Sequence, residues 1–569
     1  MPVHNADIAR VFEEIADLLA LQDANPFRVR AYRNAARTIG NLSLDLAAAL
    51  REGRPLPKLP GIGADLGAKI ADIARTGTTP LLGRLRRQTP PALVEMLRIP
   101  GLGPKRVRAL ADTLGVKSLA DLEKAAREGK IRGIAGFGEK TEAAIARAAA
   151  ERLGAARRFE LAVAWQYAEP LLAHLAAARG AKRVVAAGSL RRQRDTVGDL
   201  DILVAGEAHD AMRRFVSYGE VAEVLAQGPT RASVRLACGL QVDLRAVPVE
   251  SYGAALVYFT GSRAHNIALR RLAQGRGLKI NEYGVFRGRR RIAGETEESV
   301  YAAVGLPPIP PELREDRGEL EAAKAGRLPR LVERSDLRGD LHAHTRWSDG
   351  AASVAEMARA ARAAGLEYLA ITDHSRRLAA AHGLDPLRLR RQLAEIDAVE
   401  VEGLALLKGI EVDILDDGTL DLPDAVLGEL DVVVAAVHSA FQLPRARQTE
   451  RVLRALAHPR VTMLAHPVGR LLGARPGCDL DMLKIARAAA AHGKILELNA
   501  QPERLDLDDL HCRMAKEEGV RVAISSDAHG PAQFEYLRWG IGQARRGWLE
   551  AADVVNTRPL GALRALLER

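Results

Sequence analysis

The spacing of hydrophobic and polar positions changes twice along this chain. From residue 1 to about 150, few strand signals occur, and the pattern predicts an all-helical front part. From about Arg183, short β-branched runs appear and predict a mixed α+β middle part. These runs are Val184-Val185, Ile202-Leu203-Val204 and Val234-Arg235-Leu236.

Seven short apolar runs follow in the rear part and are separated mostly by helix-like segments. They are Leu341, Tyr368–Ile371, Ala405–Ile410, Val432–Val437, Val461–Ala465, Ile495–Leu498 and Val520–Ile524. Strands that alternate with helices predict a parallel sheet or barrel. A proline-rich segment around Pro307–Pro311, with a charged stretch to Arg338, predicts a linker ahead of this barrel.

Length and composition indicate a multidomain protein of soluble type. The chain has 569 residues, of which 47% are hydrophobic and 27% charged, and it is too long for one hydrophobic core. It has no membrane-length apolar run, and the alternation over Asp7–Leu21 does not resemble a signal peptide. Cys238, Cys478 and Cys512 form no pair motif, so we expect a cytoplasmic protein without disulfides or membrane contact. The net charge of +11 favours a polyanionic partner.

Three passages in the front part share the order apolar, x, Gly, apolar, Gly. They are Leu59-Pro60-Gly61-Ile62-Gly63, Ile99-Pro100-Gly101-Leu102-Gly103 and Ile134-Ala135-Gly136-Phe137-Gly138, followed by Lys69, Lys105 and Lys140 respectively. A tight glycine turn before a helix leaves backbone N–H groups that can bind a phosphate. An ordinary helix turn would explain any single copy. Three copies in one basic chain predict helix-hairpin-helix elements that contact the DNA backbone without reading its sequence.

The middle part carries a pattern for nucleotidyl transfer. A strand runs into Gly188-Ser189, where a glycine, a hydroxyl and a helix N-terminus can hold a triphosphate. Downstream, Gly198-Asp199-Leu200-Asp201 begins another strand, and residues two apart on a strand share a face. Asp243 lies on a later apolar run that could pair alongside. An isolated Asp-x-Asp is more often a solvated strand end, but three converging carboxylates beside Gly-Ser predict two Mg²⁺ ions and a nucleotidyl-transfer centre.

The predicted rear strands mostly end in side chains that bind metals. Because the carboxyl ends of parallel strands meet in one mouth, these side chains should converge there. A lone histidine after a strand is more often structural, but this many ligands predict two or three ions, Mn²⁺ or Zn²⁺, that activate water for phosphate hydrolysis. The sixth strand, ending at Glu497 and Asn499, supplies no obvious ligand, and His382 and His458 lie off the pattern. The predicted ligands are His342, His344, Asp349, His374, Glu411, His438, His466, Asp527 and His529.

The front and middle motifs, joined to Tyr258-Phe259-Thr260-Gly261-Ser262 and Asn281-Glu282-Tyr283, resemble family X DNA polymerases over residues 1–315. The resemblance implies that Tyr258 and Phe259 pack on the incoming sugar, that Asn266 meets its base and that Arg270 contacts the template. It also implies that Ser189 and Arg192 hold the β- and γ-phosphates. The implied nucleotide site comprises Gly188, Ser189, Arg192, Gly198, Tyr258, Phe259, Gly261 and Asn266.

Residues 55–73 resemble the lyase domain of the polymerase β type. That resemblance places at Lys69 the lysine that forms a Schiff base with an abasic sugar, a reaction that needs a buried amine with a depressed pKa. Phe27 and Asp65 stand where the animal enzyme has His and Lys. A role for Lys69 as a phosphate contact alone therefore stays open beside the lyase role.

In the rear part, Asp-Leu-His-Ala-His-Thr, Thr-Asp-His-Ser, Ala-His-Pro and Ser-Asp-Ala-His resemble the PHP (polymerase and histidinol phosphatase) domain. The implied fold class is multidomain: all-α helix-hairpin-helix domains, an α+β nucleotidyltransferase palm and thumb, and a distorted (β/α)7 barrel. The predicted domains are a lyase-like domain (1–80), fingers (81–152), palm (153–246), thumb (247–315), linker (316–335) and PHP domain (336–569).

The expected function is gap-filling DNA synthesis in DNA repair, including base excision repair, by two-metal transfer with a 3′–5′ exonuclease in the rear domain. Gapped or primer–template DNA and dNTPs are the expected partners of a monomeric chain. Two alternatives stay open. The rear domain could act mainly as a 3′-phosphatase or abasic-site endonuclease, or the chain could be a non-catalytic DNA-binding scaffold.

Overall fold

The computed structural model divides the chain into two units, residues 1–158 and 159–569. Pro60 and Pro100, which stand in two of the glycine turns, lie outside the described residues. None of the helices it describes is both long enough and apolar enough to span a bilayer. The structure describes residues 3–40, 42, 46–52, 54–57, 59, 61–90, 92–99, 101–154 and 158–568.

The first unit contains only helices among its described elements, as the spacing of its apolar residues predicts. Its core is built around helix α1, where Phe12 meets Tyr32 of the next helix edge to face, with ring centroids 5.5 Å apart. Its helices are α1 (Asn5–Leu21), α2 (Pro26–Gly40), α3 (Leu46–Arg51), α4 (Ala64–Thr76), α5 (Pro80–Gln88), α6 (Ala92–Met96), α7 (Pro104–Leu114), α8 (Leu119–Arg127) and α9 (Glu139–Gly154).

The second unit begins with the predicted palm, a five-stranded sheet in the order β2-β4-β7-β6-β5. Strands β4 and β7 run parallel, and their register places Asp201 beside Asp243. From the sequence, the strand of Asp243 could pair with that of Asp201, and the structure has this pairing. The elements are β1 (Phe159–Glu160), α10 (Leu161–Ala176), β2 (Ala181–Ala186), α11 (Gly188–Arg191), β3 (Thr196–Val197), β4 (Asp199–Gly206), α12 (Ala208–Val216), β5 (Val221–Gln227), β6 (Arg231–Leu236) and β7 (Gln241–Val247).

The predicted thumb packs three helices on a three-stranded sheet. A Cβ at Gly253 would lie 2.0 Å from a backbone atom of Thr296, so only glycine permits this approach of the first thumb helix to the start of α15. The elements are α13 (Tyr252–Thr260), α14 (Arg263–Gln274), β8 (Lys279–Asn281), β9 (Gly284–Arg287), β10 (Arg290–Ala293) and α15 (Glu297–Ala303), and α16 (Glu319–Lys324) follows in the predicted linker.

The rear part is a barrel-like sheet of seven parallel strands in sequential order. Six of the seven apolar runs overlap strands, and the strand predicted at Leu341 lies just before it. The strands are β11 (Gly339–Asp340), β12 (Tyr368–Ile371), β13 (Ala405–Asp413), β14 (Val432–Ala436), β15 (Met463–Leu464), β16 (Ile495–Asn499) and β17 (Val522–Ser525). The helices are α17 (Val354–Ala363), α18 (Pro386–Ala398), α19 (Asp424–Leu427), α20 (Arg445–Leu456), α21 (Met482–Ala491), α22 (Asp509–Glu517), α23 (Leu537–Arg546) and α24 (Leu560–Leu567).

Buried side chains join the first and last strands of the barrel. The Asn556 amide donates hydrogen bonds to the carbonyls of Gly339 and Ile524, both at 2.8 Å, and its oxygen accepts one from the Ile524 N–H at 3.1 Å. Nearby, the buried Asp340 carboxylate accepts hydrogen bonds from the N–H and hydroxyl of Ser526. These side-chain bonds add to an isolated parallel bridge between Ala343 and Ala528 at the same seam.

We therefore predict that Asn556→Ala destabilises the protein by about 3 kcal/mol, because three buried backbone groups lose their partner. Urea unfolding of the full chain, followed by circular dichroism, measures the loss. Asn281→Ala is the matched control, since Asn281 accepts one bond from the Tyr283 N–H at an exposed site. Equal stabilities of the two variants would show that Asn556 does not hold the barrel closed.

Candidate active sites

A cavity of about 330 Å³ lies where palm and thumb meet. Most residues predicted for the nucleotide site line it, together with Thr260 and Arg263, which the sequence did not single out as site residues. The predicted Gly198 and Asp243 do not line it. The lining residues are Gly188, Ser189, Arg192, Asp199, Asp201, Tyr258, Phe259, Thr260, Gly261, Arg263, Asn266 and Arg270.

The palm carboxylates share one face of two parallel strands. Burial, followed by the charges of Asp199 and Asp243, raises the pKa of Asp201 to about 7. Asp243 itself accepts hydrogen bonds from the Ser233 hydroxyl and, at 2.9 Å, from the Gln241 amide. Carboxylates that lie this close together repel one another, and a bound cation would remove the repulsion.

Position 188 must be a glycine because its backbone lies against the Asp201 carboxylate. Its φ is +58°, and a Cβ would lie 2.2 Å from Oδ2 of Asp201. The glycine therefore lets the turn before α11 approach the strand that carries Asp201. It also leaves the N-terminus of α11 pointing toward the cavity that Ser189 lines.

Arg192 has partners within the protein. Its Nε donates to Glu315 Oε1 at 3.0 Å, and its guanidinium also donates to the Thr260 carbonyl. The Arg192 side chain is 13% exposed, and burial lowers its pKa. Glu315 was not predicted as a site residue, because it lies outside the motifs of the middle part.

The aromatic pair of the thumb is fixed by its neighbours. The rings of Tyr258 and Phe259 lie 5.0 Å apart, and the Arg270 guanidinium lies 5.4 Å from the Tyr258 ring centre. Asn266 donates to the Tyr258 carbonyl at 2.7 Å. These contacts preorganise one wall of the cavity, where a sugar and a base could pack.

In the first unit, the three glycine turns share one backbone conformation. Gly61, Gly101 and Gly136 have φ of 67°, 83° and 87°, a left-handed region that favours glycine. Gly63 and Gly103 then cap helices α4 and α7, and Gly138 stands directly before α9. The turns therefore present helix N-termini, as a phosphate grip requires.

The lysines after these turns differ in their surroundings. Lys105 and Lys140 are exposed. Lys69 is 19% exposed and forms an ion pair with Asp65, one turn earlier on the same helix. An ammonium held by a carboxylate is a poor nucleophile, so the lyase role of Lys69 stays a prediction.

At the mouth of the rear barrel, Glu411 lies among five imidazoles. His374 Nδ1 approaches its carboxylate to 2.6 Å, His466 Nε2 to 2.9 Å and His438 Nε2 to 3.2 Å. His342 Nε2 lies 3.6 Å away, and His344 Nε2 lies 3.7 Å away. The carboxylate is 1% exposed, so its charge is compensated by these rings and by any cation they share.

Two further carboxylates complete the cluster. Asp527 Oδ1 lies 3.1 Å from His344 Nε2 and 3.6 Å from His342 Nε2. Asp349 Oδ1 lies 3.4 Å from His529 Nε2 and 4.0 Å from His344 Nδ1. The structure thus brings together all nine predicted ligands.

The ligand atoms form three overlapping groups in which each atom lies within 4.8 Å of the others. Among the described residues such groups occur only in the barrel, and the palm carboxylates do not form one. The groups are His344–Asp349–His374–His529, His342–His344–Asp527 and His374–Glu411–His438.

The donor atoms fit metal ions. Nε2 of His342 and Nδ1 of His344 are buried and form no hydrogen bond with any residue that the structure describes. Burial, with His529 and His374 next, lowers the pKa of His344 to about 3, so its ring is neutral as metal binding requires. Burial alone would raise the pKa of Asp349, but His529 and His374 hold it well below its ordinary value.

Glu497, which the sequence left without a role, orients a ligand. Its Oε1 lies 2.7 Å from His342 Nδ1, and its Oε2 accepts the His466 N–H at 2.6 Å. Asp413 does the same for His438, with Oδ1 2.7 Å from Nδ1. A carboxylate behind a histidine fixes which ring nitrogen faces the metal. Their position at strand ends beside the ligands is the signal that could have found them.

Asp527 is held in a conformation that non-glycine residues seldom adopt, with φ of 51°. Gln501 donates to its carbonyl at 2.6 Å, and Asn499 donates to its Oδ2 at 3.0 Å. Strain of this kind persists only where neighbours enforce it, and it is frequent at functional sites. Asn499 therefore supports the site without being a ligand. His382 is exposed, and His458 is partly buried and pairs with Asp424 outside the cluster.

Comparison with known protein families agrees with the predicted division of the chain into domains of different kinds. Residues 3–79 match the helix-hairpin-helix domain, and residues 93–151 match the SAM-like helix-hairpin-helix tandem. Residues 255–315 match the DNA polymerase beta thumb, and residues 340–500 match the PHP domain. The helix-hairpin-helix, thumb and PHP predictions are thereby confirmed.

Individual relatives cover different shares of the chain. The DNA polymerase/3′-5′ exonuclease PolX of Bacillus subtilis (strain 168) is 39% identical over 577 aligned positions, which span 100% of both chains. A probable phosphatase of Thermoanaerobacter sp. (strain X514) is 34% identical over 33% of this chain and 78% of its own length. A probable phosphatase of Acetivibrio thermocellus is 36% identical over 33% of this chain and 78% of its own length.

We predict that Glu497→Gln weakens Mn²⁺ binding at the barrel about tenfold, because a neutral amide orients His342 less firmly and lowers its basicity. Isothermal titration of metal-depleted protein measures the affinity. Glu429→Gln is the matched control, since Glu429 forms a surface ion pair with Arg390 in the same domain. An affinity of Glu497→Gln within twofold of the control would contradict this role.

Proposed function

The chain belongs to the family of the DNA polymerase/3′-5′ exonuclease PolX, and we propose that its palm cavity carries DNA synthesis while its barrel mouth carries hydrolysis. The observation that supports the first assignment best is the cavity itself, which joins Ser189 and Arg192 to Asp199 and Asp201. The expected substrates are gapped or primer–template DNA and dNTPs.

In the polymerase reaction, the primer 3′-hydroxyl oxygen attacks the α-phosphorus of the nucleotide. The bond to the β-phosphate oxygen breaks and pyrophosphate leaves. Asp199, Asp201 and Asp243 would hold Mg²⁺, which when bound lowers the pKa of the 3′-hydroxyl and neutralises the charge on the phosphates. Ser189, Arg192 and the N-terminus of α11 would bind the triphosphate.

The thumb wall would set the position of the incoming nucleotide. Tyr258, Phe259 and Asn266 line the cavity. The two rings would pack on the sugar, and Asn266 would meet the base. Arg270 would contact the template strand. The helix-hairpin-helix turns at Gly61, Gly101 and Gly136 would bind the DNA backbone, a contact that does not depend on base sequence.

In the barrel, the nine side chains would hold two or three ions, for which Mn²⁺ and Zn²⁺ suit the mixed imidazole and carboxylate donors. Bound ions supply a water of lowered pKa for attack on the terminal phosphodiester. Water adds to phosphorus and the 3′-oxygen of the neighbouring nucleotide leaves, so a nucleoside monophosphate is released. Glu411 and Asp527, both buried, would supply negatively charged donors to these ions.

A second candidate for the barrel is removal of a 3′-phosphate. Relatives named as probable phosphatases align with a third of the chain, and the same donor cluster serves monoester and diester hydrolysis. Three 5′-labelled primers ending in a 3′-hydroxyl, a 3′-phosphate or an abasic sugar separate these activities. We expect degradation of the 3′-hydroxyl primer to be fastest, and faster release of phosphate would favour the second candidate.

We predict that single substitutions separate the two activities. Asp199→Ala removes a proposed palm ligand and is expected to lower primer extension about a thousandfold or more while 3′–5′ degradation continues. His344→Ala is expected to do the reverse, because His344 belongs to two of the barrel groups. One gel assay with a labelled one-nucleotide gap, with and without dNTPs, reads both activities.

Matched controls exist in each part of the chain. Asp210→Ala removes a palm carboxylate that pairs with Arg213 and Arg214, and Asp424→Ala removes an exposed barrel carboxylate beside His458. Both variants should keep both activities. Extension that survives Asp199→Ala would refute the palm assignment, and degradation that survives His344→Ala would place hydrolysis elsewhere.

A further inference from the structure

The loop that follows the proposed triphosphate site is held by the barrel. Residues 192–195 connect α11 to β3 and have no regular secondary structure. Arg546 Nη1 donates to the Arg192 carbonyl at 2.8 Å, and the Gln543 amide donates to the Gln193 carbonyl at 2.9 Å. Both donors lie on barrel helix α23. Gln193 has φ of 55°, so its backbone depends on such anchors.

A third barrel residue holds the end of this loop. Arg470 Nη1 pairs with Asp195 Oδ2 at 3.1 Å. The same guanidinium donates to the carbonyls of Arg504 and Leu505, which fixes it to the barrel. The barrel therefore contacts the loop at both ends, and the palm alone does not determine its conformation.

The side chain of Arg192 is part of a chain of alternating charges that continues into the barrel. Glu315 Oε1 accepts from Arg192 Nε at 3.0 Å and from Arg546 Nη1 at 2.9 Å. Asp509 Oδ2 in turn pairs with Arg546 Nη2 at 2.5 Å and with Arg317 at 2.9 Å. Arg546 is 2% exposed, so its charge acts on Glu315 with little screening by water.

Glu315 competes with a nucleotide for Arg192. An arginine that binds a triphosphate must leave its carboxylate partner or share its charge with it. Because Arg546 also neutralises Glu315, the carboxylate attracts Arg192 less strongly than it would alone. Removing Arg546 would strengthen the pairing of Glu315 with Arg192 and would also leave the Arg192 carbonyl without its donor.

We propose that Arg546, a residue of the hydrolytic barrel, is a positioning residue of the polymerase centre that sets the affinity for the incoming nucleotide through Glu315 and Arg192. The proposal rests on the proposed polymerase function. Arg546 is not among the residues that line the palm cavity, and its contacts are Glu315, Asp509 and the Arg192 carbonyl. Its effect therefore belongs to nucleotide binding and not to the chemical step.

The test uses the full chain with Arg546→Gln. We expect the KM for dNTP to rise about tenfold, as the loss of a charge-assisted contact implies, while kcat changes less than about twofold. Degradation of a 3′-hydroxyl primer should stay unchanged. Arg546→Lys keeps the charge and should restore most of the affinity. Arg546→Gln with Glu315→Gln removes the competing carboxylate and should return KM to within about threefold of the unmodified chain.

Arg545→Gln is the matched control. Arg545 lies on the same helix and pairs with Glu312 at 2.7 Å. A rise in KM no larger than in this control would overturn the proposal. So would a loss of kcat and of exonuclease activity without a change in KM, since that pattern indicates a general loss of folding.

A binding measurement separates this inference from the polymerase assignment. The dissociation constant of a dNTP is measured on a complex with a dideoxy-terminated primer, where no extension occurs. Weaker binding in Arg546→Gln, but not in Arg545→Gln, supports the inference even where extension is slow. Equal binding in both overturns the inference alone. An unmodified chain that neither binds dNTP nor extends a primer would refute the polymerase assignment and the inference with it.

Discussion

A carboxylate buried away from water must have a partner, and both centres of this chain are built around carboxylates of that kind. In the barrel, Glu411 and Glu497 are almost fully buried and are surrounded by imidazoles or backbone N–H groups. In the palm, Asp201 has mainly other carboxylates near it, and its pKa rises to about 7. The same constraint thus has two outcomes. In the barrel, histidines compensate the buried carboxylates, whereas in the palm a bound cation would have to compensate them.

The constraint also explains why the barrel ligands can be so numerous. Each strand contributes its last residues to one mouth, and each ligand would be costly to bury alone. Paired, they share their charges: Glu411 lies near five rings, and Asp349 lies near His344, His374 and His529. The supporting carboxylates Glu497 and Asp413 then fix the ring nitrogens that face inward. Burial, charge sharing and orientation of these side chains therefore depend on one another.

The sequence predicted the ligands more fully than their supports. His342 and His344 belong to a motif at a strand end. Because the carboxyl ends of parallel strands lie together at one mouth of the barrel, that position predicts that the ligands are close to one another. Asp199 and Asp201 follow from strand alternation in the same way. For Glu497 the only signal was its position near the end of a predicted strand. Glu315 and Arg546 lie outside any motif, and what they touch depends on tertiary packing. From sequence alone, Glu315 beside the predicted linker 316–335 resembles a solvated charge. The spacing of residues along the sequence carries no information about partners that are distant in the chain.

The segment before the barrel shows how far that limitation reaches. Its proline and charge content indicates a linker, yet Glu315 and Arg317 are paired with barrel residues and Glu319 is buried against His265 of the thumb. A flexible connection would leave those charges in water at little cost. Here Arg546 is as buried as a core residue, so separating barrel from palm would leave it and Asp509 without part of their compensation. Charge pairing that is this buried favours one fixed arrangement of the two centres, and that arrangement is what allows a residue of the hydrolase to act on the polymerase.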